Sequence, residues 1–237
     1  MNQVQIRHSD VLLELNAHVN GVGGQYRTLS DRILVGNLAL DAEQEALSAA
    51  WRASLEKVTQ RVGDVAAIGA DIARTHAVGQ GTLEAVYAWL QTQGLPDLTE
   101  PSSLTLFGCR AAPYHHDIYA FSDSLFCVVW TSEDAGLELV FPQLDKRVAL
   151  EMGTVVVFDS GQPHGVLWKG KKHYVEKSYE ALPVQTFISV DFSATEPSVM
   201  EQMNIRAFEG PFGWPGVVVG EHDAGPKVQS RTGRWTT

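Results

Sequence analysis

Cysteine is almost absent from this chain. Cys109 and Cys127 are the only two in 237 residues, and no CxxC pair occurs. That excludes a disulfide framework and a thiolate metal cluster, and leaves both thiols as small apolar core residues. Positive charge is also scarce: 18 Lys and Arg stand against 28 Asp and Glu, for a net charge of -10. Lys169–Lys172 is the densest basic run. Such a surface repels phosphate backbones, so a nucleic-acid partner is not expected. No apolar stretch approaches the ~20 residues of a membrane-spanning helix. Met1–Gln5 carries no basic, apolar leader pattern, so a reduced, cytoplasmic setting is the expectation. GxSxG, Walker A and HExxH patterns are missing, and nothing arranges Ser, His and Asp as a hydrolytic triad. The glycines of Asn20-Gly21-Val22-Gly23-Gly24 lack dinucleotide-binding spacing and read as a turn.

What remains is a composition of 44% hydrophobic and 19% charged residues, that of a globular chain whose length suits a single domain with a substantial core. The expected layout is mostly helical support over 1–100, a β core over 101–195, and a C-terminal extension over 196–237. Arg32–Val35 reads as a strand. Asp41 with Gln44 resembles a helix start, and Leu47, Trp51, Ser54, Leu55, Val58 and Val62 follow at helical spacing, with Gly63 as the stop. Asp64 then caps a second helix through Val65, Ile68 and Ile72. Thr82 opens a third, with Leu83, Val86, Tyr87 and Leu90 on one face, closed by Gly94 and Pro96. Trp51 and Trp89 read as core.

After Pro101 the period becomes strand-like. Candidate strands are Leu104–Cys109, Leu125–Thr131, Leu137–Phe141, Val148–Glu151, Thr154–Phe158, Gly165–Trp168 and Val184–Phe192, separated by turn residues. No internal repeat is present. Many short strands predict an α+β, mainly β, fold: a jelly roll flanked by N-terminal helices. The Gly- and Pro-rich tail from Glu209 is expected to wrap the surface.

Within this frame, His115-x-Asp117 and the later His164 form the most informative group. Side chains two apart on a strand share a face, so His115 and Asp117 can reach one metal while His116 points away. His164 follows two further strands and can close the site from a neighbouring one. Two imidazoles and a carboxylate, with open positions on one face, suit non-haem Fe(II). A bulge that shifted the register would substitute His116 as ligand. His8, His18, His76, His173 and His222 are scattered and read as solvated or capping residues.

The block from Tyr114 to Trp168 resembles the catalytic half of the Fe(II)/2-oxoglutarate-dependent oxygenases, which are double-stranded β-helix enzymes. The matching residues are His115-His116-Asp117, Gly136-Leu137-Glu138-Leu139, Met152-Gly153-Thr154-Val155-Val156-Val157-Phe158 and Pro163-His164-Gly165-Val166. The resemblance implies catalytic and metal-binding roles for His115, Asp117 and His164, with Fe(II), O2 and 2-oxoglutarate as the reacting partners. It implies decarboxylation to succinate coupled to hydroxylation, desaturation or ring formation on a small molecule, such as a free amino acid, a peptide-like metabolite or a biosynthetic intermediate. A carboxylate at Asp117 leaves no place for halide.

One departure stands out. The family pairs the far carboxylate of 2-oxoglutarate with an Arg or Lys on the last core strand, whereas Pro183–Phe192 carries neither. Gln185 sits nearest that place, Ser189 shares its face, and Arg110 is the first candidate for a cation supplied from elsewhere, ahead of Lys177 and Lys146. Lys169–Leu182 reads as a long insertion, either a lid offering Tyr174 or Tyr179 to substrate or a solvated loop. Tyr114, Tyr119 and Trp168 are wall or core aromatics. A homodimer is compatible with the chain. The missing cation keeps a second reading open, a cupin-like dioxygenase or isomerase that does not use 2-oxoglutarate. A third is a non-enzymatic β-barrel binding protein.

Overall fold

The computed structural model describes residues 16–19, 25–40, 42–56, 61–68, 77–95, 103–117, 121, 123–209 and 227–236. Eight antiparallel strands carry the architecture: β5 (Ser103–Cys109), β6 (Ala112–His115), β7 (Ser124–Trp130), β8 (Leu137–Phe141), β9 (Lys146–Leu150), β10 (Thr154–Asp159), β11 (His164–Trp168) and β12 (Gln185–Ser193). The chain winds between two sheets as it passes through them. With β3 (Leu34–Asn37) and β4 (Val65–Ile68) at its edges, the major sheet runs β3-β10-β7-β12-β5-β4, and the minor sheet runs β6-β11-β8-β9. This alternation is a double-stranded β-helix.

Period-two patterning explains the layering. Val128, Trp130, Val156 and Phe158 of the major sheet pack inward against Leu137, Leu139, Phe141, Leu150 and Val166 of the minor sheet. Alternate residues of the same major strands (Leu125, Cys127, Val129, Val155, Val157, Ile188, Val190) face the other way. They meet α1 (Ala42–Leu55) through Trp51, α2 (Ala77–Thr92) through Val86 and Leu90, and α3 (Pro197–Gln202) through Val199. The major strands are therefore apolar on both faces, as a sheet covered on both sides must be. On the outer face of the minor sheet, Tyr114, Val140 and Leu167 pack with Val228 of a hairpin formed by β14 (Lys227–Val228) and β15 (Trp235–Thr236). A third small sheet joins β1 (Asn16–Val19), β2 (Gln25–Thr28) and β13 (Ala207–Glu209).

Several expectations need correction. Val65–Ile68, read as helical, is an edge strand paired with β5. Apolar residues three apart fit either element over so short a run, and the open edge of β5 decides it. The helix expected at Thr82 begins at Ala77. Ala112–His115 is a strand in its own right, and β1, β2 and β13 were not anticipated. Val58, Ile72, Pro96 and the segment 210–226 lie outside the described residues.

Gly153 turns the chain between β9 and β10 with φ +85°, and a Cβ there would sit 2.2 Å from the Leu38 carbonyl oxygen. Its own carbonyl accepts from Leu38 N at 2.8 Å, tying β3 to the barrel. Gly153→Ala is therefore expected to cost about 2 kcal/mol or more in a denaturant titration. Cys109 and Cys127 are fully buried. Burial pushes the Cys109 thiol up to about 12, and raises Cys127 as well, helped by the Asp191 charge. Raised thiols stay protonated at pH 8, so neither should react with a thiol reagent until the protein is unfolded, when both should.

Candidate metal centre

β6 and β11 are antiparallel neighbours in the minor sheet, and their register sets His115 directly opposite His164. Side chains paired across strands in this way lie on one face, and here the two ring centroids are 4.3 Å apart. Strand β6 stops at His115, so Asp117 is not on the strand with it, as the sequence had suggested. Its backbone N–H instead donates to Ser160 O at 2.9 Å, in the turn between β10 and β11. The bend still carries the carboxylate to the histidines. Asp117 Oδ2 lies 3.7 Å from His115 Nε2 and 3.6 Å from His164 Nε2. One donor atom from each of the three residues falls within 4.8 Å of the others. His116 leaves the group and packs its ring on Trp235, with centroids 4.9 Å apart.

Hydrogen bonding fixes which nitrogens face inward. His115 Nδ1 is 2.8 Å from Pro113 O, and His164 Nδ1 is 2.8 Å from Gln162 O. A carbonyl can only accept, so each Nδ1 carries the proton and each Nε2 presents a lone pair. His164 is buried, and its imidazole is held well below its ordinary pKa by burial first and by His115 second. Burial raises the Asp117 carboxyl, against a lowering pull from His115 and His116. With both rings in their neutral form, two imidazole lone pairs and a carboxylate oxygen converge. That arrangement is repulsive unless a cation lies at its centre, and N,N,O donors backed by carbonyls suit a divalent metal such as Fe(II).

The three donors sit in the wall of a cavity of about 300 Å³ between the two sheets. Phe107, Phe187 and Trp130 stack along one side, with centroids 5.4 and 5.6 Å apart. Phe121, Phe126, Phe158 and several aliphatic side chains complete a mainly apolar lining. Besides the triad, the ionisable or hydroxylic lining consists of Ser189 and Asp191, whose side chains share a hydrogen bond of 3.0 Å, and the Cys109 thiol. No Lys or Arg is among the described lining residues.

The structure scatters the other sequence candidates. Ser189 lines the cavity. Gln185 shares its strand face but sits at the strand's end, where Nε2 donates to Pro183 O at 3.0 Å, and it lines a separate depression with Arg52. Arg110 is engaged outside the cavity, with Glu56 and with Leu182 O. Lys146 and Lys177 are exposed and do not line it either. The insertion is folded onto the barrel wall. Tyr179 is buried, stacks on Trp168 and Tyr174, and its hydroxyl accepts from the Trp168 backbone N–H at 3.1 Å. Neither tyrosine, nor any described residue of Lys169–Leu182, lines the cavity. Tyr114 and Trp168 lie outside it as well, and Tyr119 falls outside the described residues. Sequence reasoning missed Phe107, Trp130, Phe187 and Asp191. The alternation along Phe187, Ser189 and Asp191 was the signal available for two of them.

No family model and no curated protein matches the chain. Among solved structures, it is similar to the non-haem α-ketoglutarate-dependent epimerase SnoN from nogalamycin biosynthesis, at 14% identity and a TM-score of 0.45, over 68% of this chain and 78% of that one. It is similar to a Pseudomonas putida prolyl-4-hydroxylase at 17% identity and TM-score 0.44, over 68% and 91% of the two chains. HygX from Streptomyces hygroscopicus, solved with nickel and 2-oxoglutarate, matches at 9% identity and TM-score 0.46, over 69% and 83%.

Isothermal titration with Fe(II) or Mn(II) under anaerobic conditions should show one site per chain. His115→Ala, Asp117→Ala and His164→Ala should each weaken it by roughly 100-fold or more, beyond the effect of losing an outer partner, while His116→Ala leaves it in place.

Proposed function

We propose that this protein is a mononuclear non-haem Fe(II) oxygenase that uses 2-oxoglutarate and O2 to oxidise a small, mainly apolar molecule. The observation that carries the reading is the convergence of His115 Nε2, His164 Nε2 and Asp117 Oδ2 on the wall of an apolar cavity. Fe(II) with 2-oxoglutarate and O2, when bound, supplies oxidation of an unactivated C–H bond coupled to formation of succinate and CO2.

The protein's own contributions follow from its residues. His115, Asp117 and His164 would hold the ion. The Pro113 and Gln162 carbonyls keep both imidazoles in the ligating tautomer and fix their ring planes. The aromatic and aliphatic walls exclude water and hold an apolar substrate by burial, and Ser189 and Asp191 supply the polar contacts that orient it. Asp117 fills the position that a halide would need, so hydroxylation, desaturation or ring formation is favoured over halogenation.

A second reading is favoured by one observation. A dianionic co-substrate in this cavity would meet Asp191 and no Lys or Arg among the described lining residues. That supports a metal-dependent oxygenase or isomerase acting directly on its substrate. Anaerobic addition of Fe(II) and 2-oxoglutarate separates the two. The first reading expects a weak visible charge-transfer band, absent from His164→Ala, and succinate release under air. Tight metal binding with no band, and turnover that needs metal but no 2-oxoglutarate, would establish the second in its place.

A further inference from the structure

Two of the three metal-site residues depend on one turn, Asp159–Pro163, which joins β10 to β11. Ser160 O accepts the backbone N–H of Asp117, and Gln162 O accepts Nδ1–H of His164. The turn is in turn fixed from the N-terminal part of the chain. Arg27, on β2, meets Asp159 in a two-pronged pair, with Nη1 to Oδ2 at 2.6 Å and Nη2 to Oδ1 at 3.2 Å. Both side chains are completely buried. The same carboxylate accepts from Ser30 N at 2.9 Å and from Gly161 N at 2.9 Å, inside the turn itself. Gln162 Nε2 reaches back to Ser30 O at 2.6 Å, and Gln162 N donates to Asp159 O at 2.9 Å.

From these contacts we infer that Arg27 and Asp159 are positioning residues for the metal centre, acting through the turn to set where His164 Nε2 and Asp117 Oδ2 stand. The inference rests on the reading of His115, Asp117 and His164 as a metal site. A buried ion pair is a poor device for stability alone, because desolvating two charges offsets most of their attraction, and apolar replacements are often neutral or better. As a device for geometry it is effective: four donors converge on one carboxylate and leave the turn no alternative conformation of similar energy. The arrangement also contains its own control. His115 is anchored by Pro113 O within β6 and not by the turn, so its Nδ1–H is expected to respond less than that of His164.

The test uses the full chain loaded with Co(II), whose visible absorption and paramagnetically shifted proton resonances report ligand geometry. Three variants are compared with wild type: Arg27→Lys, which keeps the charge and loses the two-pronged contact; Arg27→Met; and Arg27→Met with Asp159→Asn, which removes both charges while leaving an amide oxygen as acceptor for one of Ser30 N and Gly161 N. Far-UV circular dichroism and the thermal midpoint select the variants that remain folded, and the charge-free pair guards against a single variant that does not fold. The expected result is a Co(II) affinity ~10- to 100-fold weaker in Arg27→Met and in the double variant, the range for losing an outer-shell partner, with Arg27→Lys between them and wild type. The Nδ1–H resonance of His164 should shift or exchange faster, and that of His115 should change less. Folded variants that bind Co(II) with wild-type affinity and an unchanged His164 resonance would overturn the positioning role and leave the triad standing. Wild-type protein that takes up no Co(II) would overturn both.

Discussion

The constraint on which the site depends is the commitment of each histidine's Nδ1–H to a carbonyl two residues upstream. Without those bonds an imidazole can flip, change tautomer, or donate to Asp117 and form an ordinary hydrogen-bonded pair. With them, the only groups left facing one another are lone pairs and a carboxylate. Such a cluster, with His164 buried and its partners half-buried, favours a positive charge at its centre. Local backbone geometry therefore sets the chemistry, before any cofactor is considered.

That geometry is available because the fold delivers it from both sides of a strand pair. The β6–β11 register places the histidines opposite each other, and the winding between sheets brings the Asp159–Pro163 turn to the end of β6, where Asp117 emerges. The major sheet, apolar on both faces, is held between helices and cavity, so its inward side chains have little freedom.

Much of this was legible in the sequence, for identifiable reasons. The seven strands expected between Leu104 and Phe192 alternate or are uniformly apolar, and turn residues bound them, so their existence was readable within a residue or two of the ends, whereas β6 and the short strands beyond Ser193 were not. The His-x-Asp pair and the His after Pro163 are local patterns. Val65–Ile68 was misread because four residues cannot distinguish a period of three or four from a period of two, and its partner strand lies far along the chain. The Arg27–Asp159 pair spans 132 residues and belongs to no pattern at all. Arg110 was a reasonable candidate from its place beside the ligands, but Glu56, just past the end of α1, pairs with it. Side chains that act across the fold are set by tertiary contacts that no window of sequence contains.

Charge balance in the cavity bears on its ligand. Were a divalent ion held at the triad, its two positive charges would stand against the carboxylates of Asp117 and Asp191 on the same lining, a set that balances when both are ionised. A neutral or singly cationic apolar molecule can then enter at the cost of its own desolvation alone. A dianion would leave two net negative charges there, and burying unpaired charge costs several kcal/mol per ion. Direct ligation to the metal offsets that for one carboxylate, since the ion's field is strongest at its open face. The far carboxylate gains no such compensation from Ser189, a neutral donor already engaged with Asp191. With a metal at the triad, the lining would thus select on the charge of what reaches its open side, through the Ser189 and Asp191 side chains of β12.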